Sequence, residues 1–360
     1  MDVIHVTNRG QGPPIGFRSG RFGRVAFAAL IYSSMAALLE PLPPASPDIR
    51  DLRMYSASQL EPLLEEELRE WQEALDWDFT RSADLVRRFV DLRALNGATL
   101  LNHHQAVSGY CYYVYEEHKG LVGDIYIRPA FRTSENELLL LETAVRDMIA
   151  APFVSRIESQ LMLSPMYPLY SLPYSEYVSA FERDFMMADL SAARDLPLHQ
   201  LSGTVRLDNW ADYHQEAAAL LIEEAYHTHI DSSINDQYRT VTGARRFLYN
   251  IINYPGCGVF APPASLVAVN SFGVLAGLSL ASIVNDRTGH ITQICVGPQF
   301  RGTGLGYELM RRSLLRLLHA GCRRVSLTVT SSNKDAIRLY RRMGFKKVRQ
   351  FHAYVWHGWR

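Results

Sequence analysis

From Asp51 onward the spacing of apolar residues switches back and forth between two periods. In SASQLEPLLEEELREWQEALDW, Leu60, Leu63, Leu64, Leu68 and Trp71 recur at the interval of one helix face, and the acidic residues between them form a solvent side. SADLVRRFVDLRAL keeps that period and predicts a second helix. In ATLLNHHQAVSGYCYYVYEEHKGLVGDIYIRP the pattern changes. Aromatic and β-branched residues crowd it and Gly109, Gly120 and Gly123 punctuate it, as in strands joined by tight turns. Helical spacing returns in SENELLLLETAVRDMIA, and SRIESQLML reads as a strand. After the turn-rich SPMYPLYSLPYSE, the stretch YVSAFERDFMMADL is read as passing from helix to strand.

Beyond the link SAARDLPLHQLSG the order repeats. TVRLDNW predicts a strand, ADYHQEAAALLIEEAYHTHI and ARRFLYNIINY predict helices, and SLVAVN, GVLAGLSLASIV and HITQICV predict strands. A helix over 305–319, the strand RVSLTVT, a helix over 334–342 and the strand KKVRQFHAYVW complete the chain. No sequence identity ties the copies at a fixed period, so the repeat is one of layout. It predicts an α+β chain of two domains, 51–190 and 202–358, joined by a linker over 191–201.

Residues 1–50 read as a poorly determined N-terminal extension. The apolar run VAFAALIYSSMAALLEPLPPASP is interrupted by Tyr32, Ser33 and Ser34, and its continuous part falls short of the roughly 20 residues of a spanning helix. A short packing helix or an irregular extension is expected, with an atypical signal segment as the alternative.

Composition changes this picture mainly by exclusion. With 360 residues of which 48% are hydrophobic, the chain can build real cores. Lys plus Arg and Asp plus Glu both number 37, leaving no net charge to hold nucleic acid or an acidic membrane surface, and neither is expected as a partner. The cysteines Cys111, Cys257, Cys295 and Cys322 are widely spaced with no CxxC, which suggests neither disulfide scaffold nor zinc cluster. A cytoplasmic location follows as an expectation, and the oligomeric state stays open.

The candidate chemistry begins at VGPQFRGTGLGYELMRRSLLRLL. A strand feeds a glycine turn, and the turn feeds a helix whose apolar side is Leu305, Leu309, Leu314 and Leu317. Free N–H groups at such a turn, with a helix dipole behind them, suit a phosphate. A Rossmann fingerprint requires G-x-G-x-x-G and an acidic residue about 20 positions on; here the spacing is G-x-G-x-G and position 324 is arginine. A P-loop requires Lys-Ser/Thr after the last glycine, where this chain has Tyr307-Glu308. In a second stretch, SSNKDAIRLYRRMGFKKV, Ala336, Leu339, Tyr340 and Met343 follow helical spacing and Gly344 stands at the C-cap.

Together the two stretches resemble the GCN5-related N-acetyltransferase (GNAT) superfamily. Its acyl-CoA signature, Gln/Arg-x-x-Gly-x-Gly/Ala, corresponds to Gln299-Phe300-Arg301-Gly302-Thr303-Gly304, and its later segment to Asn333, Ala336, Leu339-Tyr340 and Gly344-Phe345. The resemblance covers essentially all of 203–358. It implies a mostly antiparallel twisted sheet flanked by helices, and acetyl-CoA as co-substrate with its diphosphate on 299–306, including Leu305 and Gly306. Backbone groups of Ile294 and Val296 would meet the pantetheine, Asn333 would contact the same arm, and Tyr340 would protonate the leaving thiolate. Where the family commonly places a glutamate base, counting back from Val296 reaches His290.

The polar stretch AYHTHIDSSINDQYRTVTG falls where the superfamily covers its acceptor. Asp231, Asn235 and Tyr238 are read as an amine clamp, and Asp236 as added negative charge, against the alternative of a loop held by its own hydrogen bonds. His227, His229 and Asp231 alternate, and residues two apart on a helix diverge, which argues against a metal set. The first domain resembles a degenerate copy, since GDIYIRPAFRTSENELLLLETAV carries Thr133, Glu135 and Asn136 where glycines would stand. The resulting expectation is an acyl-CoA dependent N-acyltransferase acting on a small-molecule or protein amine by direct attack in a ternary complex. The alternative is a non-catalytic tandem module that binds acyl-CoA or a partner.

Overall fold

A computed structural model describes residues 49–201 and 204–360. The expectations for the N-terminal extension, other than Ile49 and Arg50, lie outside the described residues. The chain enters on strand β1 (Ile49–Asp51), followed by helices α1 (Ala57–Leu75) and α2 (Thr80–Asp91). α1 begins where the Gln59 side chain accepts the Ser56 N–H at 2.9 Å and ends at left-handed Asp76. Its inner face is the predicted Leu60, Leu63, Leu64 and Trp71, with one addition. Glu67, assigned by its pattern to the solvent side, is fully buried and accepts the Tyr110 hydroxyl at 2.7 Å.

Strands β2 (Asn96–Leu101), β3 (Val107–Glu116) and β4 (Lys119–Ile127) form the first meander, and α3 (Ser134–Ala150) and β5 (Arg156–Gln160) follow. The stretch expected to pass from helix to strand is strand throughout, β6 (Val178–Asp189), preceded only by short 3-10 turns. Its Phe185 and Met186 are fully buried, and sheet pairing on both edges leaves no place for a helix.

The second half supplies β7 (Val205–Asn209), α4 (Gln215–Tyr226), the short α5 (Asp231–Ile234) and α6 (Val241–Asn253). Strands β8 (Val259–Phe260), β9 (Leu266–Asn270), β10 (Leu275–Asn285) and β11 (Thr288–Val296) come next. Helix α7 (Leu305–His319), β12 (Arg324–Thr330), α8 (Lys334–Arg342) and β13 (Lys346–His357) end the chain. The bounds of α7, β12 and α8 match the sequence reading.

All these strands belong to one sheet, in the order β1-β2-β3-β4-β5-β13-β6-β12-β11-β10-β9-β7, with β8 alongside β10. Its centre is an exchange. The last strand of the first half, β6, pairs antiparallel with β12 of the second, from Arg183↔Thr330 to Asp189↔Arg324. The last strand of the second half, β13, pairs with β5 of the first, from Ala353↔Gln160 to His357↔Arg156. The sheet is thus continuous across the proposed domain boundary. The linker is packed as well: Ala193, like Leu190 just before it, is buried against α7, β12 and α8.

The halves repeat one local device. Parallel pairing of β4 with β5 stops at Val122↔Ser159, and that of β11 with β12 stops at Ile291↔Leu327. Immediately beyond, each inner strand carries a bulge, at Gly123 and at Thr292, where the register with its antiparallel neighbour shifts by one. The second bulge lets Ile291 and Ile294, three apart, share the α7 side of the sheet, while Cys295 faces α4 and α6.

Candidate active site

Past Ile291, β11 runs on to Val296 and β12 to Thr330 without pairing to each other, so a cleft opens between them. Tyr226, the last residue of α4, reaches into this region and its hydroxyl donates to the Ile294 carbonyl at 3.3 Å. In an antiparallel strand a residue's N–H and C=O point the same way, so the Ile294 peptide edge faces the opening. Val296 and Ile294 pack with Leu305, Leu309 and Phe300, fixing the start of α7 against the strand end.

Gly302 and Gly304 have φ of 77° and 81°, the left-handed region open to glycine at little cost. α7 then begins with no side-chain cap, which leaves its first N–H groups available. Thr303 closes the turn by donating its hydroxyl to the Phe300 carbonyl at 2.7 Å, and Gln299 lies in the exposed 3-10 turn Pro298–Phe300. Space beside Gly302 is open for at least 4 Å in the direction of a side chain, and Gly306 allows close seating on Val296. Such an uncapped turn, with open space at Gly302, fits a diphosphate. Two residues of the turn are engaged by neighbouring segments. A side chain on Gly304 would strike the imidazole of His199 from the linker, not open space, and His199 Nε2 lies 2.9 Å from the Thr303 carbonyl. Arg301 donates to the Ala225 carbonyl at 2.7 Å, so it ties the turn to the end of α4.

The first half builds the matching corner differently. The Thr133 hydroxyl accepts the Asn136 N–H at 3.1 Å, and Glu135 and Glu137 occupy the first turn of α3. That helix start already has its cap and its negative charge.

Across the cleft, Asn333 caps α8 by accepting the Ala336 N–H at 3.2 Å, and its side-chain nitrogen lies 3.1 Å from His229 Nε2. Tyr340, on the buried side of α8, packs at 5.9 Å from Phe345. Burial, then the nearby Asp231 carboxylate, pushes its hydroxyl well above the ordinary tyrosine range. Asp231 accepts from the Thr330 hydroxyl and, at 3.4 Å, from the Arg183 guanidinium. Tyr238 stacks on Tyr226 at 4.5 Å and donates to Gln293 Oε1 at 3.4 Å. Gln293 is buried and its Nε2 has no partner among the described residues. Beside this cluster lies a cleft of about 320 Å³, lined by Ala180, Phe181 and Glu182 of β6, Ile230, and Thr330, Ser331, Ser332 and Lys334.

Not every sequence-selected residue belongs here. His290 sits on the paired part of β11, opposite Ser326, before the strands part. Its ring packs 5.0 Å from Trp77 and 6.5 Å from Phe185, and Nδ1 lies 2.9 Å from the Ser326 hydroxyl. Burial pushes its pKa down to about 3. It is a core histidine. Asn235 accepts the Gln237 N–H at 3.0 Å and holds a turn. Asp236 turns away to the first half, where Lys119 donates to it at 2.5 Å and Arg156 and His118 lie within 4.0 Å. The charge of Lys119 is the main opposite to burial in keeping its carboxyl below the usual range. Asp231, Tyr238, Asn333 and Tyr340 do come together. The sequence reading missed Arg183, Tyr226, Gln293 and Thr330. Tyr226 carried a signal as an aromatic residue closing a helix beside a polar segment; Arg183 carried none, because only the strand exchange brings it here.

Residues 222–345 match the acetyltransferase (GNAT) family model. That segment is a GNAT domain. Within it the chain is 36% identical over 88 residues to a mycothiol acetyltransferase of Saccharopolyspora erythraea, covering 24% of this chain and 29% of the relative. It is 34% identical over 70 residues to the N-alpha-acetyltransferase MAK3 of Arabidopsis thaliana, covering 19% and 37%. The chain therefore spans only about a third of these curated relatives. The fold likeness is wider than the sequence likeness. A GCN5-related N-acetyltransferase from Sphaerobacter thermophilus superposes with a TM-score of 0.61 over 87% of this chain and 96% of that one, at 17% identity. A tandem GNAT protein from the clavulanic acid biosynthesis pathway gives 0.54 over 85% and 97%, at 14% identity. The chain shares the fold of a tandem GNAT protein along nearly its whole described length.

Proposed function

We propose that the protein is an N-acyltransferase that binds one acyl-CoA, most simply acetyl-CoA, in its GNAT domain and passes the acyl group to a primary amine by direct attack. The observation that carries this reading is the parting of β11 and β12 after Ile291↔Leu327, with the glycine turn of α7 at one side and Asn333 and Tyr340 at the other. The co-substrate supplies an activated acyl group and a thiolate leaving group. Amides of 302–306 hold the diphosphate, and the Ile294 peptide edge orients the arm once the Tyr226 hydroxyl gives way. Tyr340, kept protonated by burial, donates to the departing sulfur.

The acceptor enters through the cleft beside Thr330, whose volume of about 320 Å³ lies in the range of small-molecule sites. Mycothiol and alpha-amino groups are named for the relatives; here the acceptor is any small amine or chain terminus that fits between Glu182 and Lys334. Asp231 and Tyr238 hold it. The first half binds no acyl-CoA, because the Thr133 side-chain cap at the start of α3 replaces a diphosphate nest. It lends the strand β6 as one wall of the acceptor cleft.

Calorimetric titration with acetyl-CoA tests the reading, with one site per chain expected. Two equivalent sites would overturn the assignment of the first half, and no binding would overturn the function. Thiol release across a panel of amines and peptides then identifies the acceptor.

A further inference from the structure

We propose that His229 takes the proton from the acceptor amine, with Asp231 as its positioning partner; this rests on the acyl-transfer reading above. A lysine-like amine has a pKa of about 10 and must lose a proton before it can attack. His290 is withdrawn into the core, so the sequence-selected base is out of reach.

His229 stands instead against Asn333 and Tyr226, next to Ile230 of the cleft wall. Its Nε2 is 3.1 Å from the Asn333 side-chain nitrogen, and its ring meets Tyr226 edge to face at 5.1 Å. Tyr226 in turn touches the Ile294 carbonyl, where the strands part. The Asp231 N–H donates to His229 Nδ1 at 3.2 Å, and Asp231 Oδ2 lies 3.8 Å from the same nitrogen. The Thr330 hydroxyl and Arg183 fix that carboxylate. Ile230, the next residue, lines the acceptor cleft. The imidazole is 29% exposed, open enough to meet a substrate.

Other groups facing this point are less suited to accept a proton. Tyr226 and Tyr238 are pushed well up by burial and stay protonated. Asp231 is engaged by two donors, and its neighbours Arg183 and Tyr340 bring a cation and a phenol. Lys334 follows Asn333 and donates to the Ser331 carbonyl at 2.6 Å. His227 points to Glu223 at 3.4 Å.

The step balances as follows. The base form of His229 is the tautomer with its hydrogen on Nδ1, which gives up the Asp231 N–H bond. The ammonium then gives one proton to Nε2, and the freed lone pair forms the C–N bond. The C–S bond breaks on collapse, and the thiolate takes the Tyr340 proton. The second proton leaves the amide nitrogen and restores the phenol. His229 returns its proton to solvent, so one proton is released per turnover.

The test uses His229→Asn in the full chain, because the asparagine oxygen keeps an acceptor for the Asp231 N–H. His229→Gln serves should that variant not fold. Ethanolamine, charged at neutral pH, and methoxyamine, uncharged there, are the acceptor probes at saturating acetyl-CoA. We expect unchanged acetyl-CoA affinity by calorimetry, about a 100-fold loss of kcat/KM for ethanolamine, a small loss for methoxyamine, and disappearance of the acid limb of the pH profile. Equal losses for both amines would make His229 structural and overturn the proposal. Full activity with an unchanged acid limb would overturn it too. If the wild-type chain binds acetyl-CoA but releases no thiol with any amine, the transferase reading fails and the proposal with it.

Discussion

Arg183 and Asp231 lie 48 positions apart, on strand β6 of the first half and at the start of α5 in the second, and their side chains meet at 3.4 Å. The same guanidinium donates to Thr330 at 3.1 Å, its partner in the exchanged register. A residue of the first half therefore sets the charge beside the proposed acceptor cleft.

Asp231→Asn should raise KM for the amine and, because Asp231 also positions His229, lower kcat, while leaving acetyl-CoA affinity nearly unchanged. It should also lower stability by ~1–3 kcal/mol, since Arg183 loses its charged partner. Arg183→Leu combined with Asp231→Asn should lose less than the sum of the single changes, with a coupling of about 0.5–3 kcal/mol. Denaturant melts of the four proteins measure this. Strict additivity would show that the pair contributes nothing.

Gly302 and Gly304 should respond differently. Gly302→Val forces a β-branched residue to positive φ, at ~1–2 kcal/mol, and places its side chain in the open concavity. We expect acetyl-CoA affinity to fall at least tenfold. Gly304→Ala meets His199 first, so His199→Ala should recover part of its lost stability. Affinity unaffected by Gly302→Val would move the diphosphate elsewhere.

Tyr340→Phe keeps the packing on Phe345 and loses the hydroxyl. The rate should drop roughly tenfold or more with acetyl-CoA binding intact. Because the Tyr340 pKa is raised, its donor form persists above the ordinary tyrosine range, and the wild-type rate should not fall off as pH passes about 10, the ordinary tyrosine value. An alkaline limb removed by the phenylalanine would contradict the raised pKa.

Glu67 and Asp124 form a buried acidic pair under α1. Burial, and then the Asp124 charge, raises the Glu67 carboxyl well above its usual range; burial raises Asp124 to about 6. A raised acid pKa means that the folded chain holds protons the unfolded chain has released. Stability is therefore greatest below the unfolded value of about 4 and declines as pH rises through about 6. Asp124→Asn should flatten that decline and raise stability at pH 7 relative to the wild-type chain. Chemical denaturation at pH 4, 6 and 8 gives the comparison, and a steeper decline in the variant would refute the account.

The exchange of β6 and β13 predicts that neither half folds alone. A fragment of 49–201 leaves β5 without β13, and one of 204–360 leaves β12 without β6. Each should be unfolded or aggregated by circular dichroism, and the two co-expressed should pair. A folded, monomeric 204–360 fragment would count against this.

What the sequence determined by itself was local. Period and turn chemistry placed α7, β12 and α8 at their observed bounds, because apolar spacing, a glycine turn and a C-capping glycine act over a few residues. The spacing of Gln299 to Gly304, with Asn333, Tyr340 and Gly344, was enough to point to the GNAT domain. Pairing partners were not legible in this way. Strand content does not say which edge β6 joins, so neither the exchange nor Arg183 at the cleft could be read from the first half. Nor does counting along β11 reveal where pairing with β12 stops. His290 is the third of the four residues, Thr288–Ile291, that pair with β12 and is core, while His229, in a loop without a periodic signature, lies against Asn333. Burial of Glu67 and the capture of Asp236 by Lys119 likewise depend on packing between segments far apart in the chain. Such contacts are set by long-range sheet pairing and desolvation, and only the tertiary structure decides them.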